Sequence, residues 1–213
     1  MYDLHIHSKY SDGRSDIYEI ASKAKEKGLK VIAIVDHSIE HRFGLTEKKA
    51  ELRQREIEIA KSKYDIEILS GVECGILPNG EIVLPNFKFD FIIASVHEYV
   101  TEYEYYRRVL ACLEKYEIDV IGHPFSSMFG FSENVRELDL KLLEKIEENG
   151  VAIEINSAHR SPPENFLELC KDWRISYSIG SDAHDVMRVG DVAWCMKIAK
   201  KYLRNSKFVL RHI

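Results

Sequence analysis

The sequence predicts an α/β fold in which parallel strands alternate with helices and curl into a barrel of the TIM type. The first observation is a set of seven short apolar runs, separated by longer segments in which apolar residues recur at helical spacing. The second is that several runs are apolar throughout, as in parallel strands that are buried on both faces. Seven units fall slightly short of the eight of a regular barrel, and a doubly wound open sheet is the alternative.

The predicted strands and helices follow one another in alternation along the chain. Strands are predicted at residues 2–5, 31–36, 67–72, 91–96, 120–122, 151–155 and 177–180. Helices are predicted at residues 17–27, 47–64, 102–116, 139–149, 164–172 and 192–202. Asp16 with Glu19, and Thr101 with Glu104, predict capping boxes at two helix starts. An Asn-Gly pair suits a tight turn, so a small hairpin is expected at residues 77–82.

The bulk properties indicate one domain over residues 1–213, with 45% hydrophobic and 31% charged residues. A net charge of −5 gives no overall attraction to nucleic acid, so a stable nucleic-acid complex is not expected. Four widely spaced cysteines indicate free thiols in a reducing compartment: Cys74, Cys112, Cys170 and Cys195. Because no signal-peptide pattern follows Met1 and no apolar run approaches the ~20 residues of a membrane span, we expect a cytoplasmic protein without membrane contact. The oligomeric state is left open.

The first predicted strand ends in two histidines, His5 and His7, that are two residues apart. In an extended strand this spacing places both imidazoles on one face, where they can share a metal ion. One such pair is weak evidence, but metal-binding residue types recur at the end of nearly every predicted strand. They are His5 and His7, Asp36 and His37, Glu73, His97, His123, Glu154 and Asn156, and Asp182 and His184. Since barrels build their sites at the carboxyl ends of strands, the series predicts one metal centre there.

The residue types restrict the metal. Imidazoles and carboxylates without thiolates suit Zn²⁺, Mn²⁺ or Fe²⁺, and the number of candidates exceeds what one tetrahedral ion binds. Two or three ions are therefore expected, and a bridging carboxylate with them. Glu73 is the best bridging candidate because it is the ligand-type carboxylate in the middle of the series. Asp36 and His37 are adjacent and should point opposite ways, so we assign His37 as the ligand and expect Asp36 to orient an imidazole.

These motifs resemble the PHP superfamily, which is named for polymerase and histidinol phosphatase. The matching residues follow the family's order along nearly the whole chain: His5-Ile6-His7, Ser11-Asp12-Gly13, Asp36-His37, Gly71-Val72-Glu73, His97, His123-Pro124, Glu154-Ile155-Asn156 and Ser181-Asp182-Ala183-His184. The resemblance implies one catalytic domain folded as a distorted (β/α)7 barrel, with a trinuclear metal site at the carboxyl-terminal rim. The implied ligand groups are His5, His7, Glu73 and Asp182 for one ion, Glu73, His97 and His123 for a second, and Asp12, His37 and His184 for a third.

The resemblance also implies hydrolysis of phosphate esters, in which a metal-bridging hydroxide attacks phosphorus. Converging cations suit the charge of a phosphoryl transition state and lower the pKa of a bound water toward ~7. The catalytic candidates are Glu73, Asp182, Arg160 and His159. Arg160 is the first choice for binding phosphate, since guanidinium does so at two points, and Arg14 and Arg188 are weaker candidates. His159 is either the proton donor to the leaving group or a loop residue without a role.

The favoured substrate is a phosphorylated small molecule or a nucleotide, although the sequence does not choose between them. The alternatives are a histidinol-phosphatase, an exonuclease-type phosphodiesterase and a non-catalytic scaffold built on the same barrel. The complete ligand set and the negative net charge argue against the scaffold. A metal-dependent amidohydrolase is disfavoured, because no lysine stands at the middle strand ends. An aromatic loop at residues 125–132 either stacks on a base or packs over the barrel.

Overall fold

Eight parallel strands pair into one curled sheet at the centre of the molecule. The computed structural model describes residues 1–129 and 136–212. In pairing order, the strands are β1 (Tyr2–Ile6), β2 (Val31–His37), β3 (Glu67–Gly75), β4 (Phe91–Ser95), β6 (Val120–Ile121), β8 (Ala152–Asn156), β9 (Ser176–Gly180) and β10 (Lys207–Phe208). Two further short strands, β5 (Val100–Thr101) and β7 (Met128–Phe129), pair with each other. All seven predicted strands are present.

The strands of the main sheet lie side by side in chain order. A doubly wound sheet reverses its strand order in the middle, so this order excludes the open-sheet alternative. The two outer strands of the predicted barrel meet only at their carboxyl ends. There the backbone nitrogen of His7 donates to Ala183 O at 2.9 Å, and that of Asp182 donates to His5 O at 2.9 Å. The result is a half-barrel that is closed at one end, which confirms a distorted TIM-like barrel.

Strand β10 was not predicted, and it occupies the opposite end of the gap between β1 and β9. It pairs with β9, and the ring of Phe208 lies 5.0 Å from that of Tyr2 and 5.4 Å from that of Tyr177. A strand of two residues shows no periodicity in the sequence, which explains why it was missed.

The six predicted helices are present in the described residues, with ends that differ from the prediction by a few residues at most. They are α1 (Ile17–Glu26), α2 (Glu47–Tyr64), α3 (Glu102–Lys115), α4 (Arg136–Asn149), α5 (Glu164–Cys170) and α6 (Ala193–Tyr202). The capping box of Asp16 and Glu19 is confirmed. At α3 the prediction is half wrong: Thr101 accepts from Glu104 N, but the Glu104 carboxylate binds two arginines of the same helix. None of these helices has the length and apolar character needed to cross a bilayer.

The predicted hairpin at residues 77–82 is wrong, although its turn exists. Gly80 N donates to Leu77 O at 2.8 Å, and Leu77 N donates to Glu81 O at 2.8 Å, but no strands flank this turn. A type I′ turn centred on Asn79 and Gly80 would require positive φ at both residues. In this segment Gly80 has a φ of 77°, whereas Asn79 is not among the residues with positive φ.

The sheet curls around an inner core that strand residues supply. Its buried members are Leu4, Ala33, Val35, Leu69, Phe91, Ile93, Val120 and Ala152. Residues of opposite parity, such as Ile32 and Ile68, pack outward against α1 and α2. His37 and Glu73 continue the inward parity of Val35 and Leu69. The alternation that fills the inner core therefore also directs these two polar side chains into the mouth of the half-barrel.

A buried arginine of α2 neutralises a buried carboxylate of β2. Arg53 Nη1 lies 3.0 Å from Asp36 Oδ2, and both side chains are fully buried. The other end of the guanidinium donates to Ser70 Oγ at 3.1 Å and to Gly71 O at 2.6 Å. Because a lone buried charge is far more costly than a paired one, this contact fixes α2 against β2 and β3.

Replacing Arg53 with alanine is expected to lower the free energy of unfolding by about 3–5 kcal/mol, because Asp36 would remain buried without a cation. Arg55→Ala is the matched control, since this arginine is exposed on the same helix, and its effect should stay within about 0.5 kcal/mol. Urea denaturation of both variants measures the difference. Equal midpoints for the two variants would contradict the importance of the ion pair.

Candidate metal centre

A β-bulge in β1 directs His5 and His7 into the mouth of the half-barrel. The register of β1 against β2 shifts between Asp3 and Ile6. Without an extra residue in β1, strict alternation would place the histidines opposite to Leu4, which belongs to the inner core. The bulge changes the parity, so that both histidines face inward and Ile6 packs outward against α1 and α2. Both imidazoles are buried.

Glu73 in β3 is the residue that most of the candidate ligands touch. Its side chain is 1% exposed, and Ser95 Oγ donates to its Oε1 at 2.7 Å. One oxygen, Oε1, lies 3.2 Å from Nε2 of His97 and 3.0 Å from Nε2 of His123. The other oxygen, Oε2, lies 3.5 Å from Nε2 of His5, 3.5 Å from Nε2 of His7 and 3.1 Å from Nδ1 of His37. One carboxylate with rings on both oxygens has the arrangement of a bridging ligand.

Asp12 and His184 extend the cluster on the side of β1 and β2. Asp12 Oδ2 lies 3.5 Å from Nε2 of His37 and 3.4 Å from Nε2 of His184, and its Oδ1 lies 3.5 Å from Nδ1 of His7. The potential ligand atoms of these four residues all lie within 4.8 Å of one another. The structure thus brings together the predicted group of Asp12, His37 and His184, and adds His7 to it.

Asp182 contacts the histidines of β1, and it also lies 3.5 Å from Nδ1 of His184. Its Oδ1 is 3.4 Å from Nε2 of His7 and 3.9 Å from Nε2 of His5, as the predicted first group requires. Its Oδ2 is 3.2 Å from Nε2 of His159, which together with His123 makes a further set of close potential ligands. Asp182 has a φ of 54°, an uncommon backbone conformation outside glycine that concentrates at functional sites.

Glu154 holds three parts of the cluster in place, a role that the sequence analysis did not assign. Its Oε1 lies 2.8 Å from Nδ1 of His5, while its Oε2 accepts from the backbone nitrogen of His123 at 2.7 Å and from Asn156 Nδ2 at 3.1 Å. Asn156 Nδ2 also lies 3.3 Å from Asp182 Oδ2. A carboxylate on the far nitrogen of a ligating histidine fixes its tautomer and orientation. The motif Glu154-Ile155-Asn156 at the end of β8 is the sequence feature that could have indicated this role.

Two buried aspartates hold the loops that carry other ligands. Asp36 accepts from Ser8 N and Ser8 Oγ, both at 2.8 Å, and from Ser11 Oγ at 2.7 Å, which fixes the loop that carries Asp12. The expectation that Asp36 orients an imidazole is therefore wrong: it points away from the cluster, toward the loop after β1 and Arg53. Asp3 does the equivalent for the loop that carries Asp182, accepting from Ser181 N at 2.9 Å.

The charges of the cluster are mutually dependent. Burial opposes ionisation of Glu73, but the imidazoles, His5 first, outweigh it and hold the pKa of this carboxyl well below its usual range. Burial also disfavours protonation of His37, but Glu73 and Asp12 outweigh it and raise the pKa of His37 to about 10. The pKa of His5 lies well above its usual range, because Glu154 and other carboxylates outweigh burial. The metal-free cluster thus combines carboxylates with imidazoles that favour the protonated form, such as those of His5 and His37, whereas burial lowers the pKa of His7.

The donor atoms fit a divalent cation. Nε2 of His5 lies 3.0 Å from Nε2 of His7, so two ring nitrogens face each other. Nδ1 of His7 is buried without a hydrogen-bond partner, and Nδ1 of His37 lies 3.1 Å from Glu73 without the alignment of a hydrogen bond. Buried ring nitrogens without hydrogen-bond partners are costly, and a cation among them would be bound by their lone pairs once the protons are released. Imidazoles with carboxylates are donors that Zn²⁺, Mn²⁺ and Fe²⁺ accept.

The predicted arginines lie around the cluster. The guanidinium of Arg160 lies over the ring of Trp194, 5.0 Å from its centroid, and its φ is 54°. Arg14 is exposed and its backbone nitrogen donates to His184 O at 2.8 Å, whereas Arg188 lies 3.9 Å from Asp191. The structure therefore gives none of these side chains a contact with the candidate ligands, and their roles stay predictions.

The aromatic loop at residues 125–132 was expected either to stack on a base or to pack over the barrel, and its residues differ in this respect. Phe125 is buried and packs on the rings of Tyr105, Tyr106 and Phe166, so this residue covers the barrel and is not free to stack on a base. Phe129 is exposed, and residues 130–132 of the predicted loop lie outside the described residues. Beside the cluster, the ring of His41 stacks on that of His37, with the ring centroids 4.2 Å apart.

Binding of Zn²⁺ at pH 7 is expected to release protons, because His37 is protonated in the metal-free protein and must lose its proton to become a ligand. The apparent dissociation constant should fall about tenfold per pH unit for each proton released. Calorimetric titrations in two buffers with different ionisation enthalpies count the protons, and His37→Asn should release one fewer. Heats that do not depend on the buffer would contradict the charge state described above.

Comparison with known proteins identifies a family that matches most of this chain. The family model of the PHP domain matches residues 3–158. The DNA polymerase/3'-5' exonuclease PolX of Bacillus subtilis is 29% identical over 98% of this chain, which spans 38% of the length of that relative. A protein of Thermotoga maritima named "Probable histidinol-phosphatase" is 29% identical over 95% of this chain and 92% of its own length.

A solved structure shares the fold at low sequence identity. The histidinol phosphate phosphatase of Lactococcus lactis, crystallised with zinc, L-histidinol and phosphate, superposes with a TM-score of 0.73. It is 20% identical, with 97% of this chain and 95% of that chain covered. Because the family model covers well over half of the sequence, the chain belongs to the PHP domain family.

Proposed function

We propose that this PHP-family phosphoesterase hydrolyses phosphate esters of small molecules or nucleotides, at a centre that binds two to three divalent ions. The observation that carries the proposal is the buried Glu73 carboxylate with five imidazoles around it, flanked by Asp12 and Asp182. A single tetrahedral ion would use only part of this donor set. The relatives that share most of their length with this chain carry phosphatase names, and we propose that residues 1–213 make up one catalytic domain.

The ions would be held by the nine residues of the predicted ligand set. They are His5, His7, Asp12, His37, Glu73, His97, His123, Asp182 and His184. Bound ions would supply positive charge for the phosphoryl oxygens and a water of lowered pKa as the nucleophile. The protein's own contribution is to fix the donors before substrate arrives, and Glu154 does this for His5 through a contact of 2.8 Å. Zn²⁺, Mn²⁺ and Fe²⁺ all suit this set.

His159 is the proposed proton donor to the leaving group. Its Nε2 lies 3.2 Å from Asp182 Oδ2 and its side chain is 45% exposed, so the ring borders both the candidate ligands and the solvent. Its hydrogen bond with Asp182 raises the pKa of His159, which favours the protonated ring. An alkoxide leaves poorly without a proton, so a protonated imidazole at this position accelerates its departure.

Arg160 is the proposed phosphate-binding residue. It follows β8 in the same loop as His159, and its guanidinium stacks on the ring of Trp194. Guanidinium binds two oxygens of a phosphate at once, whereas an ammonium binds as a point charge. From this loop, Arg160 would bind the phosphate at the rim while His159 meets the leaving oxygen.

A histidinol-phosphatase is the second candidate. It is favoured by the relative of Thermotoga maritima, of which this chain covers 92%. The exonuclease-type activity finds weaker support, since this chain spans only 38% of the PolX relative.

Removal of the metal is expected to abolish hydrolysis of 4-nitrophenyl phosphate, and Mn²⁺ or Zn²⁺ should restore it. Glu73→Gln should lower both bound metal and kcat, the latter more than about a hundredfold, since even indirect contacts to ligands account for 10–100-fold. Glu67→Gln is the control, because Glu67 is exposed at the start of the same strand. The ratio of monoester to diester hydrolysis decides between a phosphatase and a phosphodiesterase. Protein that binds no metal and cleaves neither ester would support the scaffold alternative.

His159→Asn is expected to lower kcat about a hundredfold for an alkyl phosphate, whose leaving group needs a proton. The same variant should retain most activity on 4-nitrophenyl phosphate, because nitrophenolate leaves without one. Steady-state kinetics on both esters provide the measurement, and metal analysis shows that the ions are retained. An equal loss on the two esters would indicate that His159 acts as a metal ligand or a structural residue instead.

A further inference from the structure

A lysine in the first turn of α2 links the two loops that follow β1 and β2. The backbone nitrogen of Lys49 donates to the N-cap side chain of Thr46. Its Nζ donates to Tyr10 O at 3.0 Å, to Phe43 O at 2.8 Å and to Gly44 O at 3.1 Å. An ammonium group has three hydrogens, so these three carbonyls use all of them. Hydrogen bonds from a charged donor are stronger than those between neutral groups.

The loop after β1 carries Asp12 and also holds His184. Gly13 N, next to Asp12, donates to Ser8 O at 3.1 Å and closes a tight turn. Arg14 N donates to His184 O at 2.8 Å. A shift of this loop would therefore move one candidate ligand directly and a second through its backbone.

The loop after β2 holds the backbone of His37. It folds back on that residue, since Leu45 N donates to His37 O at 2.8 Å. A Cβ on Gly44 would lie 1.7 Å from Ser38 O, so the close approach of the two ends of this loop requires glycine. The carbonyl that Lys49 binds at Gly44 thus belongs to a compact loop that is joined to His37.

Lys49 therefore spans two loops whose candidate ligands meet in the cluster. Asp12 Oδ2 lies 3.5 Å from His37 Nε2, and the Asp12 side chain is 28% exposed. Glu73, in contrast, is 1% exposed, and Ser95 Oγ donates to it from β4 at 2.7 Å. Asp12 thus depends on a loop for its position, whereas Glu73 lies within paired strands.

We propose that Lys49 is a positioning residue of the metal centre, which holds Asp12 and His37 at the separation that one ion requires. The inference rests on the proposed function, since it assumes that ions bind in this cluster. Without the ammonium group, Asp36 would still hold the loop after β1 at its base, but the link through Lys49 to the loop after β2 would be lost. The ion among Asp12, His37 and His184 should then bind more weakly than the others.

The test compares Lys49→Met, which removes the charge but keeps an unbranched side chain, with Lys48→Met at an exposed position of the same turn. Calorimetric titration with Zn²⁺ at one pH should show a single equivalent that Lys49→Met binds about 10–100-fold more weakly, the range that indirect partners of ligands contribute. Lys48→Met should bind every equivalent like the wild type. Asp12→Asn should weaken the same equivalent, and adding Lys49→Met to it should cost at most about twofold more, because both changes act on one ion.

Urea denaturation separates positioning from a purely structural role. A folded Lys49→Met protein that binds every ion like the wild type, or that weakens all of them equally, would overturn the inference. If Lys49→Met does not fold, Lys49→Gln decides in its place, since its amide still donates to two carbonyls, and the same single equivalent should weaken. If the wild type binds no Zn²⁺, the proposed function fails as well. If it binds Zn²⁺ and cleaves 4-nitrophenyl phosphate while the Lys49 variants bind like the wild type, the inference alone fails.

Discussion

The structure depends on the burial of one carboxylate, Glu73, among imidazoles that come from four different strands or the loops after them. Neither a carboxylate nor a protonated imidazole is stable alone in such a place, since burial disfavours both charges. Each is tolerated because the other is present, and divalent ions would relieve the remaining unpaired nitrogens. The half-barrel supplies the necessary geometry, because parallel strands bring their carboxyl ends to one rim.

Two buried aspartates, Asp36 and Asp3, fix the loops that carry the candidate ligands Asp12 and Asp182. Their carboxyl groups are stabilised in different ways. Asp36 is neutralised by Arg53, whereas Asp3 is held by hydrogen bonds from Ser181 and Gly190. Burial outweighs these bonds and raises the pKa of Asp3 to about 6. A raised pKa means that folding favours the protonated form, so the contribution of Asp3 to stability declines as pH rises from about 4 through 6. The hydrogen bonds from Ser181 and Gly190 are stronger to the ionised carboxylate, so this loss of stability comes from the burial of the charge and not from a weaker hold on the loop with Asp182.

The sequence predicts what depends on local pattern and misses what depends on distant partners. Strand ends and ligand types follow from periodicity and from residue chemistry, so the members of the cluster are recognisable in order. The bulge in β1 leaves no local trace, although it decides which way His5 and His7 face. The partner of Asp36 is likewise invisible, because Arg53 looks like one more charge on a solvated helix until α2 is docked on the sheet.

The strands fix the candidate metal ligands, whereas the loops after them are free to vary between relatives that act on different substrates. Glu154 fixes His5, and its contacts with His123 N and Asn156 extend that rigidity across the sheet, so changes there would disturb the metal centre. Relatives that share 27–30% identity with this chain carry both phosphatase and exonuclease names, as expected when a fixed centre is combined with variable loops.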